Sequence, residues 1–136
     1  MKKYLFVSAL CVLTVLTSCK KEEVTLVSYD VTGTSWTDAQ ATKDISAKIT
    51  LSINFDTDGK ISGTMKAALQ TVPPSLPSLL SGTWLQANTV SKTVTLTVVE
   101  GTTTWQGTGT INDDNTQMAG TLTAGRSSIQ FNLTKK

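Results

Sequence analysis

Ile45-Ser46-Ala47-Lys48-Ile49-Thr50-Leu51-Ser52-Ile53-Asn54-Phe55-Asp56-Thr57-Asp58-Gly59-Lys60-Ile61-Ser62-Gly63-Thr64-Met65-Lys66-Ala67-Ala68 is the stretch that decides the fold. Ile45, Ala47, Ile49, Leu51, Ile53 and Phe55 alternate with Ser46, Lys48, Thr50, Ser52, Asn54 and Asp56. Successive side chains of a strand point to opposite faces, so this alternation predicts one core face and one wet face. Asp58-Gly59 closes a turn, because glycine supplies the positive φ that a tight hairpin turn needs. Ile61, Gly63, Met65 and Ala67 then return with the same period. Ile45–Ala68 reads as a β-hairpin.

The same grammar extends outward in both directions. Val24–Val31 reads as a first strand. Gly33-Thr34-Ser35-Trp36 follows, and the polar stretch from there to Asp44 shows no clear period. After the hairpin, Thr71–Ser81 breaks the pattern: Pro73, Pro74 and Pro77 argue against a central strand. Pro77 is placed to open one helical turn through Leu80. This apolar connection is expected either to cover one end of the core or to form a flap over a ligand opening. Trp84–Val90 reads as a strand, and Val94, Leu96 and Val98 mark the next, ended by the Glu100-Gly101 turn. Trp105, Gly107, Gly109 and Ile111 face one way. Asn112 to Asn115 make a polar turn. Met118, Gly120, Leu122 and Ala124 lead to the Gly125-Arg126 turn, and Ile129, Phe131 and Leu133 finish the chain.

About eight antiparallel strands joined by short turns form a meander, and a meander must hide its edges. Closure into an up-and-down barrel removes them altogether. The expected fold is therefore an all-β, antiparallel up-and-down barrel of about eight strands; a two-sheet β-sandwich satisfies the same alternation. The inward glycines Gly63, Gly107, Gly109 and Gly120 suit closure. They also leave volume inside, either filled by Trp84 and Trp105 or left open.

The amino end carries different information. Lys2 and Lys3 precede an apolar run from Leu5 to Leu16. At about 12 residues the run is shorter than the about 20 needed to span a bilayer core, and it reads as an export signal outside the fold. Its end, Leu16-Thr17-Ser18-Cys19, resembles the lipobox of bacterial lipoproteins. That resemblance implies cleavage between Ser18 and Cys19, with Cys19 acylated. Several acyl chains are needed for stable anchoring, since one chain holds only marginally. The alternative is a conventional signal peptide with Cys19 as a free thiol. Lys20-Lys21-Glu22-Glu23 resembles the surface-export signal of some Gram-negative lipoproteins, or is a plain solvated tether. The residue after Cys19 is lysine, not aspartate, so the familiar inner-membrane retention signal is missing. The expected organisation is a signal peptide over 1–18, a lipidated tether over 19–23 and a β-barrel domain over 24–136. The expected location is the outer membrane, anchored through Cys19, with the domain facing either the cell exterior or the periplasm.

Composition limits the chemistry. Removing the first 18 of 136 residues leaves 118, one ordinary domain. Threonine is the commonest residue of that mature chain, and β-branched residues suit a half-buried pleated surface. No basic stripe appears, which argues against a nucleic-acid partner. The chain has no histidine, so Ser-His-Asp and Cys-His catalysis and imidazole-ligated metal sites are excluded. The aspartates cluster at turns. We expect no enzyme, no cofactor and no metal. Asn54-x-Asp56-x-Asp58-Gly59-x-Ile61 follows the first eight positions of an EF-hand-type calcium loop, but the twelfth position, which needs a bidentate glutamate, is Met65. A plain Asp-Gly turn accounts for the same residues. Trp36, Trp84 and Trp105 are the candidate ligand-contact residues, able to stack on a flat ligand at a barrel mouth. The competing role for such tryptophans is as core or end plugs.

Gly82-Thr83-Trp84, Asp56-Thr57-Asp58-Gly59-Lys60-Ile61-Ser62-Gly63-Thr64 and Trp105-Gln106-Gly107-Thr108 together resemble the lipocalin-like domains of bacterial surface lipoproteins. In lipocalins the Gly-x-Trp lies near the domain start; here Gly82 comes late, and the looser Gly33-Thr34-Ser35-Trp36 occupies the early place. The resemblance implies a small barrel that binds a small apolar or flat ligand. The alternative expectation is a filled, non-catalytic module that docks on a protein of a surface complex.

Overall fold

The computed structural model of the chain describes residues 25–44, 47–67 and 76–136. The export signal, Ser18, Cys19, the charged tether and Pro73-Pro74 lie outside the described residues.

Eight strands form: β1 (Thr34–Lys43), β2 (Ala47–Phe55), β3 (Lys60–Ala67), β4 (Ser78–Gln86), β5 (Thr93–Glu100), β6 (Thr103–Ile111), β7 (Gln117–Ala124) and β8 (Ser127–Lys135). Each pairs antiparallel with the next, and β1 pairs with β8, so the sheet closes into an up-and-down barrel rather than a sandwich. The β2–β3 hairpin keeps the register expected from its turn, with Phe55 opposite Ile61 and Ile49 opposite Ala67. Gly59 supplies the turn's positive φ of 78°.

The inward face is apolar except at the mouths of the barrel, where residues such as Lys43 and Glu100 stand on it. Leu51, Ile53, Leu96, Val98, Leu122 and Leu133 are fully buried, and no polar or charged residue is buried among the described residues. Most outward positions of β5 to β8 are polar, among them the exposed Thr95, Gln106, Thr108, Thr110, Thr121, Thr123, Gln130 and Asn132; Val99, half-buried, and Ala119, exposed, are the apolar ones. An apolar inside with a polar outside is the reverse of a membrane-spanning barrel, whose outer band is apolar.

The glycines let neighbouring strands approach closely. A Cβ on Gly63, Gly107 or Gly120 would lie 2.1, 1.9 and 2.1 Å from the backbone oxygens of Ser52, Thr121 and Thr108 respectively. Side chains fill the space beside Gly109 and Gly120. A Cβ on Gly109 would meet Met118 Sδ at 2.5 Å, and one on Gly120 would meet Phe131 Cζ at 2.7 Å.

Four expectations about elements are corrected. Residues 25–31 form no strand. In a closed barrel every edge is already paired, so this segment instead crosses one end. There the Tyr29 amide donates to Thr89 O at 2.6 Å, Asn115 Nδ2 donates to Ser28 O, and Tyr29 and Val31 are buried. The stretch to Asp44, which had no readable period, is the first strand. A bulge between Asp38 and Ala41 switches which parity faces inward, from Trp36 to Ala41, and so erases the alternation. Pro77 opens no helical turn, because Ser78, Leu79 and Leu80 pair with Met65, Thr64 and Gly63 as the start of β4. That strand ends at Gln86 rather than Val90. The Gln86 side chain there donates to Ser91 O and Tyr29 O, folding the connection back.

Candidate functional site

The two ends of the barrel differ. The connections β2–β3, β4–β5 and β6–β7 lie at one end, which the 25–33 segment covers; we call it the closed end. The other end carries the β1–β2, β3–β4, β5–β6 and β7–β8 connections and holds a cleft of about 310 Å³.

The cleft is built on Trp105. This residue sits third in β6, points inward and is 2% exposed. Its Nε1 donates to Glu100 Oε2 at 3.3 Å. Glu100 ends β5, directly before the Gly101 turn, which brings its carboxylate back over the indole. Lys43 ends β1 on the inward parity set by the bulge. Its ammonium lies 3.7 Å from Glu100 Oε2 and 5.1 Å from the Trp105 ring centroid. β1 and β5 are not neighbours in the sheet, so the Lys43–Glu100 pair spans the mouth and roofs the indole. A cation over an indole face adds electrostatic attraction to that cover.

Around this roof the cleft is lined by the apolar Ile49 and Met65, by exposed Leu76, and by the two further lysines Lys48 and Lys66. Lys48 Nζ donates to Thr42 Oγ1 at 2.8 Å. With three lysines against one carboxylate, the lining is positive on balance. A shallower groove of about 610 Å³ shares Ser78 and Glu100 and continues past Leu79 to Thr102 and Thr103.

The three tryptophans do not form a common platform. Trp36 is fully buried at the closed end; its Nε1 donates to Thr34 Oγ1 at 2.7 Å and Lys135 lies over its ring. Trp84 is half-buried near the β2–β3 turn, edge-on to Phe55, with Nε1 donating to Asp56 O at 3.2 Å. Trp105 alone lies under the cleft, and it is roofed. Each of the three indole N–H groups has an acceptor.

The Asp56–Gly59 stretch forms a hairpin turn. The Gly59 amide donates to Asp56 O, and Asp58 Oδ2 pairs with Lys60 Nζ at 2.5 Å. The hydrogen bond from Lys60 holds the Asp58 carboxyl below its ordinary pKa. Among the described residues, no group of three or more His, Cys, Asp or Glu side chains is placed to hold a metal ion.

Sequence reasoning missed the lysines of the cleft. Part of the signal was there: the hairpin register puts Thr50 opposite Lys66, so Lys48 and Lys66 share the wet face near its open ends. Glu100 and Lys43 join them only through barrel closure.

Comparison of the chain with protein-family models, with curated proteins and with solved structures finds no match.

Proposed function

We propose that this chain is a lipid-anchored, non-enzymatic binding module of the bacterial outer membrane, lipocalin-like in architecture, that takes its ligand at the mouth of a filled barrel. The observation that carries the reading is the inequality of the two ends. One is covered by the chain's own N-terminal segment; the other bears a cleft lined by apolar side chains and lysines. Its volume is at the low end of the roughly 300–1,000 Å³ found for ligand pockets. The ligand that fits has a small apolar body and a negative group. Ile49, Met65 and Leu76 meet the first, and Lys48 and Lys66 meet the second. The interior supports no deeper calyx, because Met118 and Phe131 occupy the space that the glycines vacate. The non-enzymatic part rests on the cleft's single carboxylate, Glu100, which is already engaged by Lys43 and Trp105. The anchor rests on the lipobox-like Leu16-Thr17-Ser18-Cys19.

Native mass spectrometry of the full acylated protein, extracted from its own cells, tests the reading. A bound small molecule is expected, and it should be lost on joint substitution of Lys48→Glu and Lys66→Glu with unchanged thermal stability. An adduct that survives the double substitution, or a wild-type protein with no adduct, would sink it.

A second reading, a filled module that docks on a surface complex, is favoured by Leu79, which is 78% exposed beside the shallower groove. Cross-linking from a Thr102→Cys variant on intact cells would then capture one partner protein.

A further inference from the structure

We propose that the closed end of the barrel rests on the lipid bilayer, through the corner formed by the N-terminal segment and the β4–β5 connection. This rests on the anchoring reading and goes beyond it by assigning an orientation and a contact surface.

Six large hydrophobic side chains are exposed among the described residues, and four of them lie at this corner. Leu26 and Val27 precede Tyr29, whose amide is bonded to Thr89 O; Val90 follows Thr89, and Leu85 precedes Gln86, whose side chain holds Tyr29 O. Their exposures are 73%, 49%, 45% and 70% in that order. The outer face of β5 to β8 is mostly threonine, glutamine and asparagine, with only the half-buried Val99 and the small Ala119 apolar, so these large aliphatic groups stand out against a largely polar wall. Apolar exposure gathered in one place marks a contact surface, whereas scattered residues do not.

The length of chain outside the structure selects the occupant. Five residues separate Cys19 from Thr25, the first described residue. At 3.3–3.6 Å per residue the span from Cys19 to Thr25 reaches at most about 20 Å. Strands of this length, tilted about 40° to the barrel axis, give a barrel of about the same height. An acylated Cys19 therefore holds the closed end within one barrel height of the lipid. The bilayer is the one apolar phase the corner always meets.

Four aliphatic side chains would hold a free domain only weakly. Tethering makes the contact intramolecular, and a short linker raises the effective concentration to the millimolar range. Charge does not drive it. At the closed end Lys60 pairs with Asp58 and Lys92 with Asp113, while Asp30, Asp56 and Asp114 offset Lys135 and Lys136. The contact is apolar, and it turns the lysine-rimmed cleft away from the membrane.

The test uses the full acylated chain in vesicles of phosphatidylethanolamine and phosphatidylglycerol with brominated acyl chains. Cys19 is the mature chain's own cysteine and is blocked by acylation, so a fluorophore goes onto Ala87→Cys at the corner or Thr102→Cys at the opposite end. Bromolipid quenching is expected to be several-fold stronger at position 87. Joint substitution of Leu85→Ser and Val90→Ser should lower it to the level at 102 while the protein still floats with the vesicles. Equal quenching at both positions in a protein that carries its acyl groups overturns the orientation alone. Shielding of position 87 from aqueous iodide without bromolipid quenching means that a second copy or another protein covers the corner, and also overturns it. A wild-type chain that carries no acyl group and does not float removes the anchor, and the orientation with it.

Discussion

Lys43 and Glu100 meet at 3.7 Å across the mouth of the barrel, above the indole of Trp105, from strands that share no backbone pairing. The carboxylate has two partners there: the lysine, and the indole N–H at 3.3 Å. Glu100→Ala removes both and leaves Trp105 Nε1 without its acceptor. A loss of about 1 kcal/mol is expected, since water reaches the rim and limits the penalty. Glu100→Gln keeps a carbonyl for the indole and should lose less. Thermal melts and Trp105 emission check this; an alanine variant as stable as wild type with unshifted emission would refute it.

The seam between the first and last strands depends on a side chain. The β1 bulge leaves the middle of β8 unpaired with β1, between Thr37↔Thr134 and Thr42↔Gln130. Asp38 Oδ2 fills the gap by accepting the Asn132 amide at 2.7 Å, while Oδ1 accepts the Gln40 amide at 2.8 Å. Asp38→Ala should cost about 1–2 kcal/mol and speed hydrogen exchange at the Asn132 amide. Unchanged exchange at that amide would show that the seam closes without it.

Gly107→Ala should be far worse than its one added methyl suggests. The new Cβ would lie 1.9 Å from Thr121 O, a backbone atom of β7 that cannot move aside without breaking the ladder. Overpacking of this kind costs about 1–3 kcal/mol or more. Chemical denaturation measures it, with Ala119→Gly on the exposed face of β7 as a mild comparison. An undiminished denaturation midpoint for Gly107→Ala would contradict the close approach of β6 and β7.

Acid should loosen the closed end before the barrel. The Asp30 carboxyl is held below its ordinary value of 3.8, chiefly by hydrogen bonding to the Thr32 side chain and also to its amide. A depressed carboxylate stabilises the fold at pH values above the unfolded-state pKa and loses that contribution as pH falls through the folded-state pKa. The local stabilisation is thus intact at neutral pH and lost from pH 3.8 downward. Amide exchange at Thr32 and Tyr29 should rise in that range. Asp30→Asn should remove the pH dependence there, and a variant that retains it would assign the effect to another group.

The β2–β3 hairpin was legible because it is locally over-determined: alternation on both strands and an Asp-Gly turn agree on one register. β5 to β8 were legible for the same reason, each apolar face bounded by a turn containing glycine or asparagine. β1 was hidden by its bulge, because a change of parity within ten residues cancels the very signal that marks a strand. Val24–Val31 misled in the opposite sense. Its β-branched and aromatic residues suit a strand, but Tyr29 and Val31 are buried as an end cover instead. The rim lysines carried no signal alone, since a lysine on a wet face is ordinary.

The sequence by itself determined that the chain is all-β, with an apolar face and a polar face alternating on β2, β3 and β5 to β8. It also carries the lipobox-like Leu16-Thr17-Ser18-Cys19, which needs no fold to be read. Those features are local: they depend on a residue and its neighbours within a turn or a strand. Tertiary structure alone decided closure over a sandwich, the covering of one end by residues 25–33, the filling of glycine space by Met118 and Phe131, and the meeting of Lys43 with Glu100. Each joins residues far apart in the chain, and their proximity follows from which edge pairs with which. In a closed barrel that is settled only when β1 finds β8.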